Sequence, residues 1–330
     1  MKTRAAVLWG TNQPWVVEEL DIDPPKANEV LVQWKAAGLC HSDEHLVTGD
    51  MVPPDEALPF LGLESFFPVI GGHEGAGIIA EVGPGVTSVK AGDHVSASFG
   101  PACGRCRYCS TGRQNLCDQG AGAFLPGMVT DGTSRHHLDG VEPLLFAKLG
   151  TFSEYTCVAE SQVIKVEPDL PLEAVALVSC GVATGWGSAT NRADVAPGDT
   201  VVVVGIGGIG INAVQGAAMA GARHVIAVDP VEFKREKAME FGATHTFASM
   251  EEALPAVNEL SWGQMADKVI MTPGVLHGDM MALGTQLAGK GGTIVVTAIA
   301  PMTQTESAVN LFELAMYNKE IKGTIFGSLN

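Results

Sequence analysis

The clearest pattern of apolar and polar positions lies in the second half of the chain. Val201-Val202-Val203-Val204 is continuously apolar, as expected for a strand that helices cover on both faces. A helix is predicted from about Gly208 to Gly221, a strand over His224–Val228 and a helix over about Val231–Phe241. Further strands fall near Asp267–Met271 and Thr293–Ala298, with helical segments around Met280–Leu287 and Leu311–Lys319. Strands alternating with helices predict a parallel, doubly wound sheet. The first 180 or so residues read differently. Short β-like runs such as Val30–Trp34, Ile78–Val82 and Tyr155–Val158 are separated by turn signals at Gly83-Pro84-Gly85 and Ala91-Gly92-Asp93. This half is expected to be mostly β, and the change of character falls near residue 182. There is no internal repeat and no low-complexity tract.

A chain of 330 residues exceeds a comfortable single core, so two domains are expected. The 40 glycines and few aromatics suit an α/β enzyme with tight turns. A formal charge of −17 with no basic run argues against nucleic acid and acidic membranes as partners. Only five apolar residues, Ala5 to Trp9, follow Met1-Lys2-Thr3-Arg4, too few for a signal peptide. No stretch looks close to the roughly 18 apolar residues of a membrane span. The chain therefore reads as cytoplasmic, where disulfides are disfavoured, and its seven cysteines call for another role.

Four of them supply one: Cys103-x2-Cys106-x2-Cys109-x7-Cys117. Four thiolates in one short loop can close a tetrahedral shell around a structural zinc, with iron–sulfur ligation as the alternative. A second set is dispersed. Cys40, His73 with Glu74, and Cys180 each sit at a glycine-flanked turn. Two Cys and one His would leave a zinc ion one open position for chemistry. Taken alone these positions stay open, because a lone Cys is more often core and a lone His is more often just hydrogen-bonded. The third signal is Gly205, Gly207, Gly208, Ile209 and Gly210, directly after Thr200–Val204 and opening the next helix. It fits a dinucleotide fingerprint in which backbone approaches the pyrophosphate at a helix N-terminus. Asp229, 24 residues beyond Gly205, would bond the ribose 2′-hydroxyl and repel a 2′-phosphate, favouring NAD over NADP.

These motifs run in order along almost the whole chain, together with Gly38–His45, Gly72-His73-Glu74, Thr151–Tyr155 and Cys180–Gly185. In them the chain resembles the zinc-containing medium-chain alcohol dehydrogenases. The resemblance implies a GroES-like, mostly β catalytic domain over residues 1–181, carrying both zinc sites. It also implies a Rossmann NAD-binding domain over 182–321, with 322–330 returning to the first domain. Cys40, His73 and Cys180 match the catalytic-zinc ligands, and Glu74 matches a transient ligand beside the metal. Ser42 and His45 match the inner and outer members of a proton relay. Asp43 is expected to orient a ligating His. Thr184 and Lys234 match cofactor contacts, and His41 stands where many relatives place a pyrophosphate-binding Arg.

The cofactors implied are one catalytic zinc, one structural zinc and NAD, in a homo-oligomer that oxidises a small primary alcohol to its aldehyde. A glutathione-dependent formaldehyde dehydrogenase, or a catalytically silent zinc- and NAD-binding protein, would share the same motifs. Met1–Pro14 and Gly122–Leu149 look most like the actinobacterial nicotinoprotein branch. Those enzymes retain NAD and pass electrons to an external acceptor, either a nitrosoaniline dye or a mycofactocin-like redox peptide. Residues 49–68 form a longer segment than in animal liver-type enzymes and are expected to reshape the substrate entrance. The chain ends at Gly327-Ser328-Leu329-Asn330, where relatives continue for several tens of residues, so part of the catalytic domain is expected to be missing.

Overall fold

A computed structural model of the chain describes residues 1–122 and 125–329. The expectations that touch Asn330, and residues 123 and 124 of the 122–149 stretch, lie outside the described residues. The chain divides into two compact units, Met1–Cys180 and Gly181–Leu329.

In the first unit, one five-stranded sheet runs in the order Val163–Lys165, His94–Ala97, Glu74–Val82, Glu29–Gly38, Tyr155–Ala159, with every neighbour antiparallel. A second sheet is built on Lys2–Leu8, which pairs with Val16–Ile22 on one side and Val69–Ile70 on the other. Strand Glu29–Gly38 is buried on both faces, and its period of two divides it between two cores. Val30, Val32 and Trp34 pack with Ile79, Val95 and Val158, whereas Leu31 packs with Ala5, Val7, Leu20 and Ile70.

The second unit holds a six-stranded parallel sheet. Its order is His245–Phe247, His224–Val228, Thr200–Val204, Ala266–Met271, Ala288–Val296, Glu320–Gly323. This is the doubly wound nucleotide-binding order, three strands outward to one side and three to the other. The run Val201–Val204 shows why it is apolar throughout. Val201 and Val203 face one core with Ala213, Val214 and Ala217, while Val202 and Val204 face the other with Ala253, Val257 and Leu287. Among the elements that sequence reading passes over here are strand His245–Phe247 and helix Met250–Leu260. The strand is three residues long, and Pro255 interrupts the helical pattern.

Two expectations need correction. Residues 322–329 lie in the second unit, because Glu320–Gly323 pairs with Thr293–Val296 at the edge of the parallel sheet. Against the expectation that no stretch comes close, the helical run Leu172–Arg192, 21 residues with mean hydropathy 1.2, is long and apolar enough to cross a membrane. Half of it is buried inside the protein, with Val175 and Ala176 packing on Ala76 and Ala189 packing against Ala213 and Val214. That is how a core helix acquires such a composition.

Candidate functional site

Strand register begins the assembly of the first site. Gly38 pairs with Glu74, so Cys40, two residues past the end of one strand, faces His73, one residue before the start of the next. Cys40 is the N-cap of helix His41–Thr48. Asp43, fully buried in that helix's first turn, accepts the Cys40 N–H at 3.1 Å and the Gly72 N–H at 3.0 Å, fastening both ligand-bearing turns. Cys180 arrives from a third element, a π-helical turn at Val178–Val182, the wide geometry often found at functional sites. Gly75 N–H donates to Ser179 Oγ at 3.1 Å and holds that turn against the strand.

The outcome is a cluster in which donor atoms of Cys40, His73, Glu74 and Cys180 all lie within 4.8 Å of one another. His73, Glu74 and Cys180 are each at most 5% exposed. Phe146 and Phe99 stand edge-on to the His73 ring, with centroids at 4.9 and 5.8 Å, and shield it from water. A hydrogen bond from Cys180 pulls the Cys40 thiol down to about 3 against its burial, with His73 adding to the effect. Burial by itself would lower His73, but Asp43 and Cys40 beside it raise it to about 10. His73 Nδ1 is buried with no hydrogen-bond partner, 3.6 Å from Asp43 Oδ1. Two sulfurs, an imidazole and a carboxylate, with one thiol strongly acidified, form a donor set suited to zinc.

The four-cysteine loop converges as well. Sγ atoms of Cys103, Cys106, Cys109 and Cys117 lie within 4.8 Å of one another, with Cys103–Cys109 and Cys106–Cys117 both at 4.0 Å. Tetrahedral zinc with its usual bonds to sulfur puts ligands about 3.8 Å apart, whereas a disulfide needs about 2.05 Å. All seven cysteines are free thiols. Backbone N–H groups of Cys103, Cys106 and Cys109 point at the sulfurs of Cys117, Cys103 and Cys106, at 3.3 to 3.4 Å. Hydrogen bonds from the Cys109 and Asp118 backbone draw Cys106 down to about 6, while burial pushes Cys109 up to about 12. A cation at the centre would offset that burial cost.

Helix His41–Thr48 also carries the relay candidates. Ser42 Oγ lies 3.7 Å from Cys40 Sγ. His45 is 2% exposed, stands edge-on to His41 at 4.8 Å, and has Nδ1 3.1 Å from Asp50 Oδ2. In the second unit, Gly205 adopts φ +87° to turn the chain out of its strand, and a Cβ on Gly210 would lie 1.9 Å from the Gly205 carbonyl oxygen. Both positions require glycine. The turn feeds helix Gly208–Met219, whose N-cap is Gly207. Asp229 ends the next strand and accepts the Ile206 N–H at 2.8 Å and the Val231 N–H at 2.9 Å, with Lys234 Nζ at 3.6 Å. Thr184 is buried in the helical run beside this turn, where a Cβ on neighbouring Gly185 would strike the Ile209 carbonyl. His41, Ser42 and His45 therefore belong to the first unit, and Thr184, Gly205, Gly207, Gly208, Ile209, Gly210, Asp229 and Lys234 to the second. Sequence reasoning misses Asp50, Phe99 and Phe146. Asp50 had a signal in the Gly49-Asp50 pair just past a predicted site, while the two phenylalanines had none.

Two metal-ready cysteine clusters in a mostly β unit, joined in one chain to a doubly wound nucleotide-binding unit, define a zinc-dependent medium-chain dehydrogenase. Residues 26–168 match the alcohol dehydrogenase GroES-like domain and residues 208–330 the zinc-binding dehydrogenase family. The chain belongs to the zinc-binding alcohol dehydrogenase family. It is 52% identical over all 330 residues to the NDMA-dependent alcohol dehydrogenase of Amycolatopsis methanolica, covering 85% of that relative. It is 49% identical, again over its full length, to a putative alcohol dehydrogenase D of Mycobacterium tuberculosis, covering 86% of it. Among solved structures, benzyl alcohol dehydrogenase from Acinetobacter calcoaceticus superposes with a TM-score of 0.87 at 30% identity, covering 99% of this chain and 85% of that one.

Proposed function

We propose that this chain oxidises a primary alcohol to its aldehyde by transferring a hydride to NAD, retains the NAD, and returns electrons to an external acceptor. The convergence of Cys40, His73, Glu74 and Cys180 within 4.8 Å carries the proposal, because residues scattered over 140 positions meet as a metal donor set. Zinc held by Cys40, His73 and Cys180, with Glu74 in reach, supplies Lewis-acid polarisation of the substrate oxygen. The chain's own groups manage the proton and exclude water. Ser42 Oγ, beside Cys40 Sγ, takes the hydroxyl proton as it gives up its own toward His45, which passes a proton outward. Phe99 and Phe146 keep the His73 side of the cluster dry. The turn Gly205–Gly210 and Asp229 hold the dinucleotide, and the carboxylate disfavours a 2′-phosphate. Four other cysteines, Cys103, Cys106, Cys109 and Cys117, would hold a structural zinc.

An acceptor of the nitrosoaniline type is supported by the NDMA-dependence in the name of the Amycolatopsis relative; retained NAD and a mycofactocin-like peptide as its acceptor are the further part of the proposal. Seven cysteines with no disulfide among them fit a reducing, cytoplasmic setting, and a homo-oligomer is part of the proposal. The test is direct. Purified protein is denatured, released NAD and zinc are measured, and alcohol oxidation is assayed with added NAD and with a nitrosoaniline acceptor. Stoichiometric NAD in the supernatant with turnover only on the acceptor is expected. Protein free of zinc and NAD, with no turnover on either, overturns the enzymatic reading.

A further inference from the structure

Helix His41–Thr48 ends by folding back on its own last histidine. Gly49 takes the left-handed conformation at φ +90°, and the N–H groups of Gly49 and Met51 both donate to the His45 carbonyl at 3.1 Å. Those backbone bonds end the helix without help from Asp50. The turn nevertheless lays Asp50 over the imidazole, with Oδ2 3.1 Å from His45 Nδ1. Thr48 Oγ1 lies 3.2 Å from the Glu44 carbonyl and 2.7 Å from that same carboxylate oxygen; its one proton goes to the shorter contact and fixes the direction of the carboxylate. His45 is 2% exposed and Asp50 21%, so the pair runs from the interior toward solvent.

A carboxylate has no proton to give, so Nδ1 is the donor and Nε2 is left as the ring's acceptor. His41, edge-on at 4.8 Å and 87°, packs against the ring and hinders its rotation. We infer that Asp50 is a positioning residue for proton exit. It holds His45 in the Nδ1–H form, with Nε2 free to take the proton that leaves the alcohol oxygen. When Nε2 accepts that proton the ring becomes an imidazolium, and the Asp50 carboxylate on Nδ1 balances its charge until the ring releases a proton toward water. This rests on the proposed relay through Ser42 and His45.

The experiment uses the full chain with its zinc and NAD, labelled with ¹⁵N-histidine, and three variants: Asp50→Asn, Asp50→Ala and His45→Gln. The ring signals of His45 are assigned by their loss in His45→Gln. Wild type is expected to show the Nδ1–H tautomer. In Asp50→Asn, Thr48 holds the amide oxygen and turns the amide N–H2 toward the ring, so the Nε2–H tautomer is expected. The expected cost is a fall in kcat of about 10- to 100-fold with KM little changed and zinc content intact. Asp50→Ala, which leaves Nδ1 without its acceptor, should lose rate similarly and carries the comparison if Asp50→Asn does not fold. Should Asp50 variants turn over within about twofold of wild type while His45→Gln is slow, the relay stands and the inference about Asp50 is overturned. Should His45→Gln itself keep full rate, the relay reading fails and takes the inference with it.

Discussion

Asp43 Oδ1 lies 3.6 Å from His73 Nδ1, on a carboxylate that also accepts the backbone N–H groups of Gly72 and Cys40. One fully buried side chain thus joins the turn before His73, the turn that bears Cys40, and the His73 ring itself. Its position follows from the helix. Asp43 is the third residue of His41–Thr48, where a short acidic side chain reaches back to cap the first turn. Capping the helix and orienting the histidine are a single act.

Replacing Asp43 by Ala frees the Cys40 and Gly72 N–H groups and leaves the His73 ring unguided. Zinc affinity of the Cys40–His73–Cys180 site is expected to fall by about 10- to 100-fold, the usual cost of losing a partner behind a metal-bound histidine. Metal at Cys103–Cys117 should be untouched, because no residue is shared between the two sets. Chelator competition monitored by zinc release would show one site emptying early and the other late. Simultaneous release of both would mean Asp43 acts on the fold as a whole.

Much of this architecture was legible beforehand, for identifiable reasons. The four-cysteine loop is local, so its spacing alone announces a closed metal shell. Strand Thr200–Val204, the glycines after it and Asp229 fall within about one βαβ unit, and there period and turn chemistry speak directly. Cys40, His73 and Cys180 were different. Their meeting depends on the Gly38–Glu74 register and on a π-helical turn, neither of which leaves a mark in local sequence. Resemblance to a family, rather than periodicity, singled them out. Asp50, Phe99 and Phe146 stayed hidden because each acts on a histidine through tertiary contact. The run Leu172–Arg192 has the hydropathy of a membrane span because half of it is buried in the protein, which its glycines and small polar residues conceal in the sequence.

Asp229, proposed above to read the ribose, also braces its own surroundings. Its two carboxylate oxygens already hold the N–H groups of Ile206, in the glycine turn, and Val231, in the following loop. Asp229→Ala should therefore cost about 1–3 kcal/mol for each N–H left without a partner, beyond any loss of cofactor. The expected result is a lower melting temperature together with weaker NAD binding and no useful gain in NADP binding, because the phosphate-facing turn loses its anchor. Calorimetric titration with both dinucleotides, beside a melting curve, checks this. A variant that melts with wild type and binds NADP tightly would reduce Asp229 to a selectivity residue.

His136 makes the first unit sensitive to acid. It sits fully buried on the short strand His136–His137, paired with Ile22, and its Nε2 accepts the Cys157 N–H at 3.3 Å. Burial, with Arg135 and His137 adding to it, drives the ring down from its ordinary 6.5 to about 3. Between those two values the unfolded chain carries a proton at this residue that the folded chain refuses. Stability must then rise with pH across that window and fall as the solution is acidified below about 6.5, with no further contribution at higher pH. At pH 5 the loss from this residue alone amounts to about 2 kcal/mol. Other groups titrate in the same range, so the informative quantity is the difference between wild type and His136→Gln, whose amide oxygen can still accept the Cys157 N–H but does not titrate. Urea midpoints at pH 5 and pH 7.5 should differ more in wild type than in the variant. Equal pH slopes in the two proteins would show that His136 takes up its proton without unfolding.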